Sequence, residues 1–383
     1  MSNPFKPTAG RIPPVLVGRK NIIADFEYAL EDGPGAPGRL MFLTGARGVG
    51  KTVMLDVLGD KAKNLGWTVI NETAESGFTD RLMEQLRSIG KDTDVVSYDM
   101  PKTSVEAGGY KASLDLGKIN FDNRQRQTLS LRRAFTKQLD MVEKQGKGLL
   151  VTLDEVQSSS LDEMRSLSVA MQHLIREHRN VAFLFAGLPN AVGEVLDDKV
   201  ITFLQRAERE HLGAVDNGDV LKSFDEIFGT GKHASMDVLI ELTKATHGYP
   251  FMIQLVGYWA WRCSDQNGHS DRVSIDDAEE GIGMAKTKLG DMVHAQALKG
   301  LPAQAINYLL AMSLDDDVSR TGDVARRMER SPQFANIYRM RLVDEDIIEP
   351  AGRGFVRFKL PYLRDYLREH AAFLQMRGNV EEL

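Results

Sequence analysis

Residues 39–52 read RLMFLTGARGVGKT, and this stretch decides the fold predicted for the N-terminal half of the chain. The apolar run at 40–43 comes directly before residues 45–52, which match the pattern G-x-x-x-x-G-K-[ST]. Glycines let such a loop turn its backbone N–H groups toward a phosphate, and the N-terminus of the following helix attracts anions. We therefore predict a phosphate-binding loop between a buried strand and an α-helix.

Each position of this loop has an expected part in binding a nucleotide. Lys51 supplies a positive charge for the phosphates, and Thr52 supplies a hydroxyl for Mg²⁺. The predicted nucleotide-binding residues are Gly45, Ala46, Arg47, Gly48, Val49, Gly50, Lys51, Thr52 and Val53. The alternative is a glycine-rich turn without this function, but the strand-like run before the loop and the amphipathic helix after it both favour the phosphate-binding loop.

Length and composition describe a globular protein of several domains. The 383 residues predict two or three domains, and the net charge of −6 means that any nucleic-acid contact must come from a local patch. The single cysteine, Cys263, excludes an internal disulfide framework and a cysteine-based zinc site. The sequence has neither an apolar run long enough to cross a bilayer nor the apolar centre of a signal peptide. We expect a cytoplasmic protein without a membrane partner.

The order of apolar patterns predicts how the chain is divided. Strand-like runs alternate with amphipathic helices up to about residue 216, which is typical of an α/β core with a parallel sheet. The later patterns are helical and end in three short helices, a glycine-containing strand pair and a closing helix, the outline of a winged helix. The predicted divisions are an N-terminal arm at 1–14, the core at 15–216, an all-α lid at 217–299 and a winged-helix domain at 300–383. Within the core, residues 100–121 are predicted to form an inserted hairpin, followed by a long helix from about residue 124.

Asp154 and Glu155 follow the buried strand predicted at 148–153, at the end where ligands of open α/β sheets bind. Mg²⁺ bound to a phosphate needs a carboxylate, so Thr52 and Asp154 are the predicted metal ligands. Glu155 is the predicted catalytic residue that polarises water for attack on the γ-phosphoryl group, with Lys51 as its catalytic partner. The alternative is that the two acids only cap the next helix. Their position after a phosphate-binding loop favours catalysis.

Taken together, these motifs resemble those of the AAA+ and STAND ATPases, in particular the archaeal-ATPase and origin-recognition-like branch. The residues that carry the resemblance are Val17-Gly18-Arg19, the loop at 45–52, Asp154-Glu155, and Gly248-Tyr249-Pro250 ahead of the winged helix. The resemblance covers nearly the whole chain apart from 100–121. It implies a P-loop core with an added strand between the phosphate-loop strand and the acidic strand, followed by the lid and the winged helix.

The resemblance also implies contacts on the two sides of the nucleotide. Val17, Gly18 and Pro250 would lie against the adenine, although Pro250 also suits the start of a lid helix. Members of the family sense the γ-phosphate with a polar residue near the end of the fourth strand. Here that strand ends in Ala-Gly, so Asn190 is the nearest candidate for the sensor.

The resemblance also implies an arginine that acts on a neighbouring subunit. Arg206 or Arg209 would reach the γ-phosphate of the next copy and stabilise charge in the transition state. The alternative is a surface arginine paired with a nearby glutamate. The lid also lacks an arginine beside Gly248, where many family members have a second sensor, so ATP binding is a firmer expectation than rapid turnover.

The winged helix is the expected place for DNA binding. Its predicted recognition helix at 332–343 would bury Phe334, Ile337, Tyr338 and Leu342. The predicted DNA-contacting residues are Gln333, Asn336 and Arg339 on that helix, and Arg353, Arg357 and Lys359 on the strand pair. Asn, Gln and Arg side chains can read base edges by paired hydrogen bonds. The acidic run at 344–346 favours the alternative, a module that contacts protein.

The sequence therefore predicts an ATPase that binds ATP or ADP with Mg²⁺ and hydrolyses ATP slowly to drive a conformational switch. Its expected partners are ATP and duplex DNA. One alternative is a nucleotide-switched DNA-binding regulator or initiator-like factor, in which the nucleotide only sets the conformation. Another is a signalling or scaffold ATPase whose winged helix contacts a second copy or another protein.

Overall fold

The computed structural model describes residues 2–8, 12–13, 16–89, 116–198 and 201–381. The N-terminal half is built on a parallel sheet whose strands are β1 (Leu40–Thr44), β2 (Thr68–Thr73), β3 (Leu149–Asp154), β4 (Val181–Gly187) and β5 (Glu208–His211). Their order is β2-β3-β4-β1-β5, and all four pairings are parallel. β4 is thus the added strand between β1 and β3, and the predicted α/β fold class is confirmed.

Helices cover both faces of this sheet. They are α1 (Lys20–Asp32), α2 (Lys51–Asn64), α3 (Phe78–Ser88), α4 (Leu116–Val142), α5 (Leu161–Arg176) and α6 (Pro189–Asp197). Successive side chains of a strand point to opposite faces, so Met41 and Leu43 pack with α1 and α2. Phe42 points the other way, toward α3 to α6, and stacks on Phe185 with ring centroids 4.7 Å apart. Burial on both faces explains why these strands read as continuous apolar runs.

The predicted insertion at 100–121 lies largely outside the described residues. Where the description resumes, the chain is helical, because α4 begins at Leu116 and not near residue 124. Residues 116–121 are therefore the start of a helix and not the end of a hairpin.

The lid follows β5 and is helical apart from one pair of very short strands. Its elements are α7 (Asn217–Phe228), β6 (His233–Ala234), α8 (Met236–Thr246), α9 (Pro250–Gln266), β7 (Arg272–Val273), α10 (Ile275–Leu289) and α11 (Ala295–Leu298). A π-helical turn at Gly290–His294 separates α10 from α11. The N-terminal arm is anchored on this lid by Phe5, which is fully buried against Phe224 and Phe228.

The last part of the chain has the outline of a winged helix. Its elements are α12 (Ala303–Ser313), β8 (Ser319–Arg320), α13 (Thr321–Arg327), α14 (Pro332–Asp344), β9 (Ile348–Pro350), β10 (Phe355–Phe358) and α15 (Leu363–Glu381). The three strands form an antiparallel sheet in the order β8-β10-β9. The long helix α15 packs against α12. The two-residue strand β8 is absent from the sequence prediction because it is too short to carry a periodic pattern.

Candidate functional site

The loop between β1 and α2 has a backbone that only glycine fits at two of its positions. Gly45 has φ 148°, and a Cβ there would lie 2.4 Å from the carbonyl oxygen of Leu212. Gly48 has φ 74°, and its Cβ would lie 2.1 Å from the hydroxyl oxygen of Tyr249 in the lid. Both conformation and space exclude a side chain. The loop is therefore packed between Leu212, which directly follows β5, and Tyr249 of the lid.

Lys51 carries the positive charge of this loop into a buried position. Its side chain is on the first turn of α2, and the residue is only 8% exposed. The ammonium donates hydrogen bonds to the carbonyl oxygens of Gly45 (2.8 Å) and Ala46 (2.9 Å). Burial lowers the pKa of Lys51, while the nearby charges of Glu155 and Asp154 oppose that shift. An anion in the loop would replace the water that this cation has lost.

The acidic strand end meets the loop at Thr52. The hydroxyl of Thr52 donates to Oδ2 of Asp154 at 2.5 Å, and Oδ1 of Asp154 accepts from the backbone N–H of Glu155 at 2.8 Å. A hydroxyl and a carboxylate are the hard oxygen ligands that Mg²⁺ uses, with water and phosphate completing its shell. In the described part of the chain no cluster of three or more His, Cys, Asp or Glu side chains forms a metal cage. The donor set fits Mg²⁺ held jointly with a phosphate.

Glu155 has the strained backbone that is common at functional sites. Its φ is 56°, which is unusual for a residue with a side chain. Glu155 is exposed at the end of β3, and its carboxylate is contacted by the side-chain amide of Gln157. The same Gln157 side chain accepts a hydrogen bond from the backbone N–H of Leu188 at 3.2 Å. The sequence analysis did not identify Gln157.

Lys51, Thr52, Glu155 and Gln157 line one cavity of about 450 Å³, whereas Asp154 lines a second cavity that Thr52 also borders. The residues that line the first cavity come from the arm, the loop, the acidic turn and the lid: Lys6, Thr8, Pro13, Leu16, Val17, Arg19, Arg47–Met54, Glu155, Gln157, Leu188, Leu212, Val215, Pro250, Phe251, Ile253, Gln254, Met292, Val293 and Gln296. Val17 and Pro250, the predicted adenine contacts, both line it. Gly18 packs behind, where its Cβ would lie 2.8 Å from Val215. No local sequence pattern predicts that the arm and residues 292–296 line the cavity.

The predicted sensor and trans-acting arginines lie away from this cavity. Asn190 is exposed on the first turn of α6 because Pro189 starts that helix directly after β4. Among the described residues, neither Asn190 nor Arg206 nor Arg209 contributes to the cavity wall. Both arginines are exposed just before and within β5. A catalytic role for either arginine would require a second copy of the chain.

On the winged helix, α14 has a different buried face from the predicted one. Ala335 and Leu342 are buried, whereas Ile337 is 62% exposed. The predicted burial of Ile337 is therefore wrong, because α14 turns only its residues 335 and 342 fully into the core. Gln333 and Asn336 are exposed as predicted, on the same side as Ile337.

The basic residues of the winged helix are partly paired. Arg339 is half-buried and donates to the side chain of Asn336 at 2.8 Å. Arg357 forms an ion pair with Glu349 at 2.6 Å, and Lys359 pairs with Asp346. Arg353 is exposed at the turn between β9 and β10. Two of the three basic residues predicted to contact DNA from the strand pair, Arg357 and Lys359, are therefore already in ion pairs.

Comparisons with known proteins find similarity to this chain in sequence and in fold. Residues 15–185 match the family model described as AAA ATPase domain, and residues 291–367 match a domain of unknown function (DUF8462). The structure resembles the ORC2 protein of Aeropyrum pernix, solved as ADPNP-ADP complexes, with 14% identity, 98% of each chain covered and a TM-score of 0.66. It also resembles Cdc6p from Pyrobaculum aerophilum, with 14% identity, 97% of each chain covered and a TM-score of 0.51. No curated protein matches the sequence significantly.

Residues 15–185 are therefore similar in sequence to AAA ATPase domains, and the chain has the fold of the archaeal ORC2 and Cdc6p structures. The predicted resemblance to the AAA+ ATPases is confirmed by the family model, and the predicted likeness to origin-recognition proteins is confirmed at the level of the fold. Within the described residues, none of the helices has the length and apolar character needed to cross a membrane.

Proposed function

We propose that this protein binds ATP together with Mg²⁺ and hydrolyses it slowly, and that the nucleotide switches the arrangement of the lid and the winged helix. One observation carries the proposal. The Lys51 ammonium, the Thr52 hydroxyl and the Glu155 carboxylate border a single cavity that the core, the lid and the arm enclose together. This combination of groups suits a nucleoside triphosphate and its metal ion.

The phosphate side of the proposed site uses charges that already exist in the loop. Lys51 would exchange its bonds to Gly45 and Ala46 for contacts with the β- and γ-phosphates. Thr52 and Asp154, which now bond to each other, would hold Mg²⁺ between them and the phosphates. When bound, Mg²⁺ offsets the charge that builds up on the phosphate oxygens.

Glu155 is proposed as the residue that activates water. An exposed carboxylate at the end of β3 borders the cavity next to Lys51, so it can accept a proton from water opposite the γ-phosphate. The side chain of Asp154 is engaged by Thr52 and by the backbone, which leaves the base role to Glu155. The two acids would then have separate tasks.

The proposed switch rests on contacts that connect the cavity with the C-terminal part of the chain. Met292, Val293 and Gln296 line the cavity and lie in the π-helical turn and α11, the two elements that precede α12. Nearby, Nε2 of His294 bonds to the carbonyl oxygen of Pro361 at 2.9 Å, between the lid and the start of α15. A nucleotide that moves residues 292–296 would therefore also move the winged helix.

The decisive experiment compares the wild type with Glu155→Gln. We expect the variant to bind ATP with unchanged affinity and to turn it over about 10²- to 10⁴-fold more slowly, the usual contribution of a positioned base. Glu177→Gln is the matched control, because Glu177 is a surface partner of Arg132. Measured phosphate release at the wild-type rate from Glu155→Gln would refute the assignment. A wild type that binds ATP but releases no phosphate would leave a nucleotide-controlled switch without hydrolysis.

A second proposed activity is binding of duplex DNA by the winged helix. The outward side of α14 supports it, because Gln333, Asn336 and Arg341 are all exposed there. Ile337 and Met340 share that side and could contact thymine methyl groups or the surface of a protein partner. We propose DNA as the partner, with a second copy or another protein as the alternative. A cytoplasmic location stays a prediction from the sequence.

A further inference from the structure

The end of β4 contributes Leu188 to the cavity wall and no polar side chain. β4 lies between β1 and β3, and Gly187 is paired in register with Thr44, the residue just before the phosphate-binding loop. The strand ends in Ala186 and Gly187, and Leu188 follows. A polar group at this point would lie between the loop and the acidic strand, where the γ-phosphate is proposed to bind.

Gln157 brings a polar side chain to this point from the neighbouring strand. It lies in the short 3₁₀ turn Val156–Ser158 that follows Glu155. Its amide nitrogen donates to Oε2 of Glu155, and its amide oxygen accepts from the backbone N–H of Leu188 at 3.2 Å. One side chain therefore connects the proposed base with the end of β4, and it also lines the cavity.

The local backbone is arranged so that this connection can form. The left-handed conformation of Glu155 starts the turn, and the N–H of Ser158 bonds back to the carbonyl oxygen of Glu155 at 2.8 Å. Val156 is buried against Gly187. A Cβ at Gly187 would lie 2.4 Å from Val156 and 3.1 Å from the amide oxygen of Gln157. The strained residue, the buried anchor and the glycine all favour the same position for Gln157.

We propose that Gln157 is a positioning residue for hydrolysis, which holds the Glu155 carboxylate in the orientation that activates water. This inference rests on the proposed ATPase function. The bond from the Gln157 amide to Oε2 holds that oxygen in place, so the carboxylate keeps one orientation toward the cavity. The bond from Leu188 fixes the other end of the amide, so the orientation of Glu155 depends on the end of β4. Gln157, and not the predicted sensor Asn190, brings a polar side chain to the cavity beside the end of β4.

The first test measures ATP turnover and nucleotide affinity for Gln157→Ala and Gln157→Met. Methionine keeps the length of the side chain but removes both hydrogen bonds, so it separates packing from polar contact. We expect kcat to fall about tenfold to a hundredfold in both variants, with the Kd for ATP and for ADP changed by less than about threefold. Gln205→Ala is the matched control, because the Gln205 amide bonds to the carbonyl of Leu196 away from the cavity.

The second test asks whether Gln157 acts through Glu155. Single-turnover hydrolysis of radiolabelled ATP is compared for Glu155→Gln with and without Gln157→Ala. We expect the double variant to be no slower than Glu155→Gln, because the oriented carboxylate is already lost. A further drop by the same factor as in the single variant would overturn the proposal, since Gln157 would then act independently of Glu155.

The outcomes also distinguish this inference from the proposed function. Normal kcat in Gln157→Met, together with a wild type that hydrolyses ATP and a Glu155→Gln variant that does not, would refute the role of Gln157 alone. Equal losses of kcat and of ADP affinity would also refute it, because they indicate a binding or folding defect. A wild type without any turnover would instead refute the ATPase function on which the inference depends.

Discussion

The positive charge of Lys51 at the cavity is held in place by the backbone of its own loop. Lys51 is buried and bonded to carbonyl oxygens of its own loop, so the cation has already lost most of its water. This desolvation is unfavourable without an anion, and the acids across the cavity offset only part of it. A bound phosphate would relieve that cost, and for this reason Lys51 should contribute to affinity more than to stability.

Replacing Lys51 with Ala is expected to weaken ATP and ADP binding by at least about a hundredfold, because a buried cation paired with a phosphate contributes several kcal/mol. The midpoint of thermal unfolding should change little. Lys61→Ala is the control on the same helix, where Lys61 pairs with Glu27 on the surface. Isothermal titration calorimetry measures both variants. Wild-type affinity in Lys51→Ala would contradict the phosphate-binding role of the loop.

Asp154→Asn tests the proposed metal site. The variant should lose most of the increase in ATP affinity that Mg²⁺ produces in the wild type, since an amide is a weaker ligand for this cation than a carboxylate. Binding of ADP in the presence of a chelator should stay the same. Asp60→Asn serves as a control, because Asp60 is exposed on α2 and pairs with Lys63. A wild-type Mg²⁺ dependence in Asp154→Asn would exclude it as a ligand.

Tyr249 connects the lid to the phosphate-binding loop. The hydroxyl of Tyr249 donates to the backbone carbonyl of Arg47, and the Tyr249 ring leaves room only for a glycine at position 48. Burial raises the pKa of Tyr249 well above its usual range, so the hydroxyl stays protonated and remains a donor. This contact joins the N-terminus of α9 to the backbone that is proposed to wrap the phosphates.

Tyr249→Phe should lower the free energy of unfolding by about 1 kcal/mol, the usual cost of one lost hydrogen bond that leaves a carbonyl unpaired. We also expect faster release of a fluorescent ADP analogue, because the loop is no longer tied to the lid. Urea denaturation and stopped-flow fluorescence measure the two effects. Tyr28→Phe is the control, as Tyr28 is 69% exposed on α1. An unchanged release rate would show that Tyr249 has only a structural part.

The whole chain connects a nucleotide cavity to a winged helix, and this connection can be tested with full-length protein. We expect weak binding of duplex DNA that differs between the ATP and ADP states. Because Arg357 and Lys359 are already paired, few phosphate contacts remain. About two to four such contacts imply a log-log salt slope of roughly −2 to −4 for B-form DNA. Fluorescence anisotropy at several salt concentrations measures this slope.

Two substitutions separate backbone contacts from base contacts in this experiment. Arg353→Ala should weaken binding to all sequences alike and flatten the slope by about one, whereas Asn336→Ala should relax sequence preference with little change in slope. Arg326→Ala is the control, since Arg326 pairs with Asp323. Absence of DNA binding at low salt with either nucleotide would defeat the DNA proposal. The exposed Ile337 and Met340 would then favour a protein partner.

Local patterns in the sequence were sufficient to predict the fold class and to select the candidate residues of the site. Burial on both faces makes β1, β3 and β4 continuous apolar runs, and the loop at 45–52 needs its glycines whatever surrounds it. The pair Asp154-Glu155 was selected as a candidate for the same reason, because the end of a buried strand can be recognised from the sequence. Signals of this kind act between neighbours in sequence and do not depend on the rest of the fold.

Only the tertiary structure decided which distant residues share the cavity. Gln157 meets Leu188, and Tyr249 meets Arg47, because β4 lies next to β3 and the lid lies over the loop. The outward turn of Asn190 and the exposure of Ile337 likewise depend on how a helix sits on its neighbours. Periodicity predicts which side of a helix is apolar, but it does not predict how much of that side is covered by other elements. Packing between elements far apart in sequence therefore determined the details of the site.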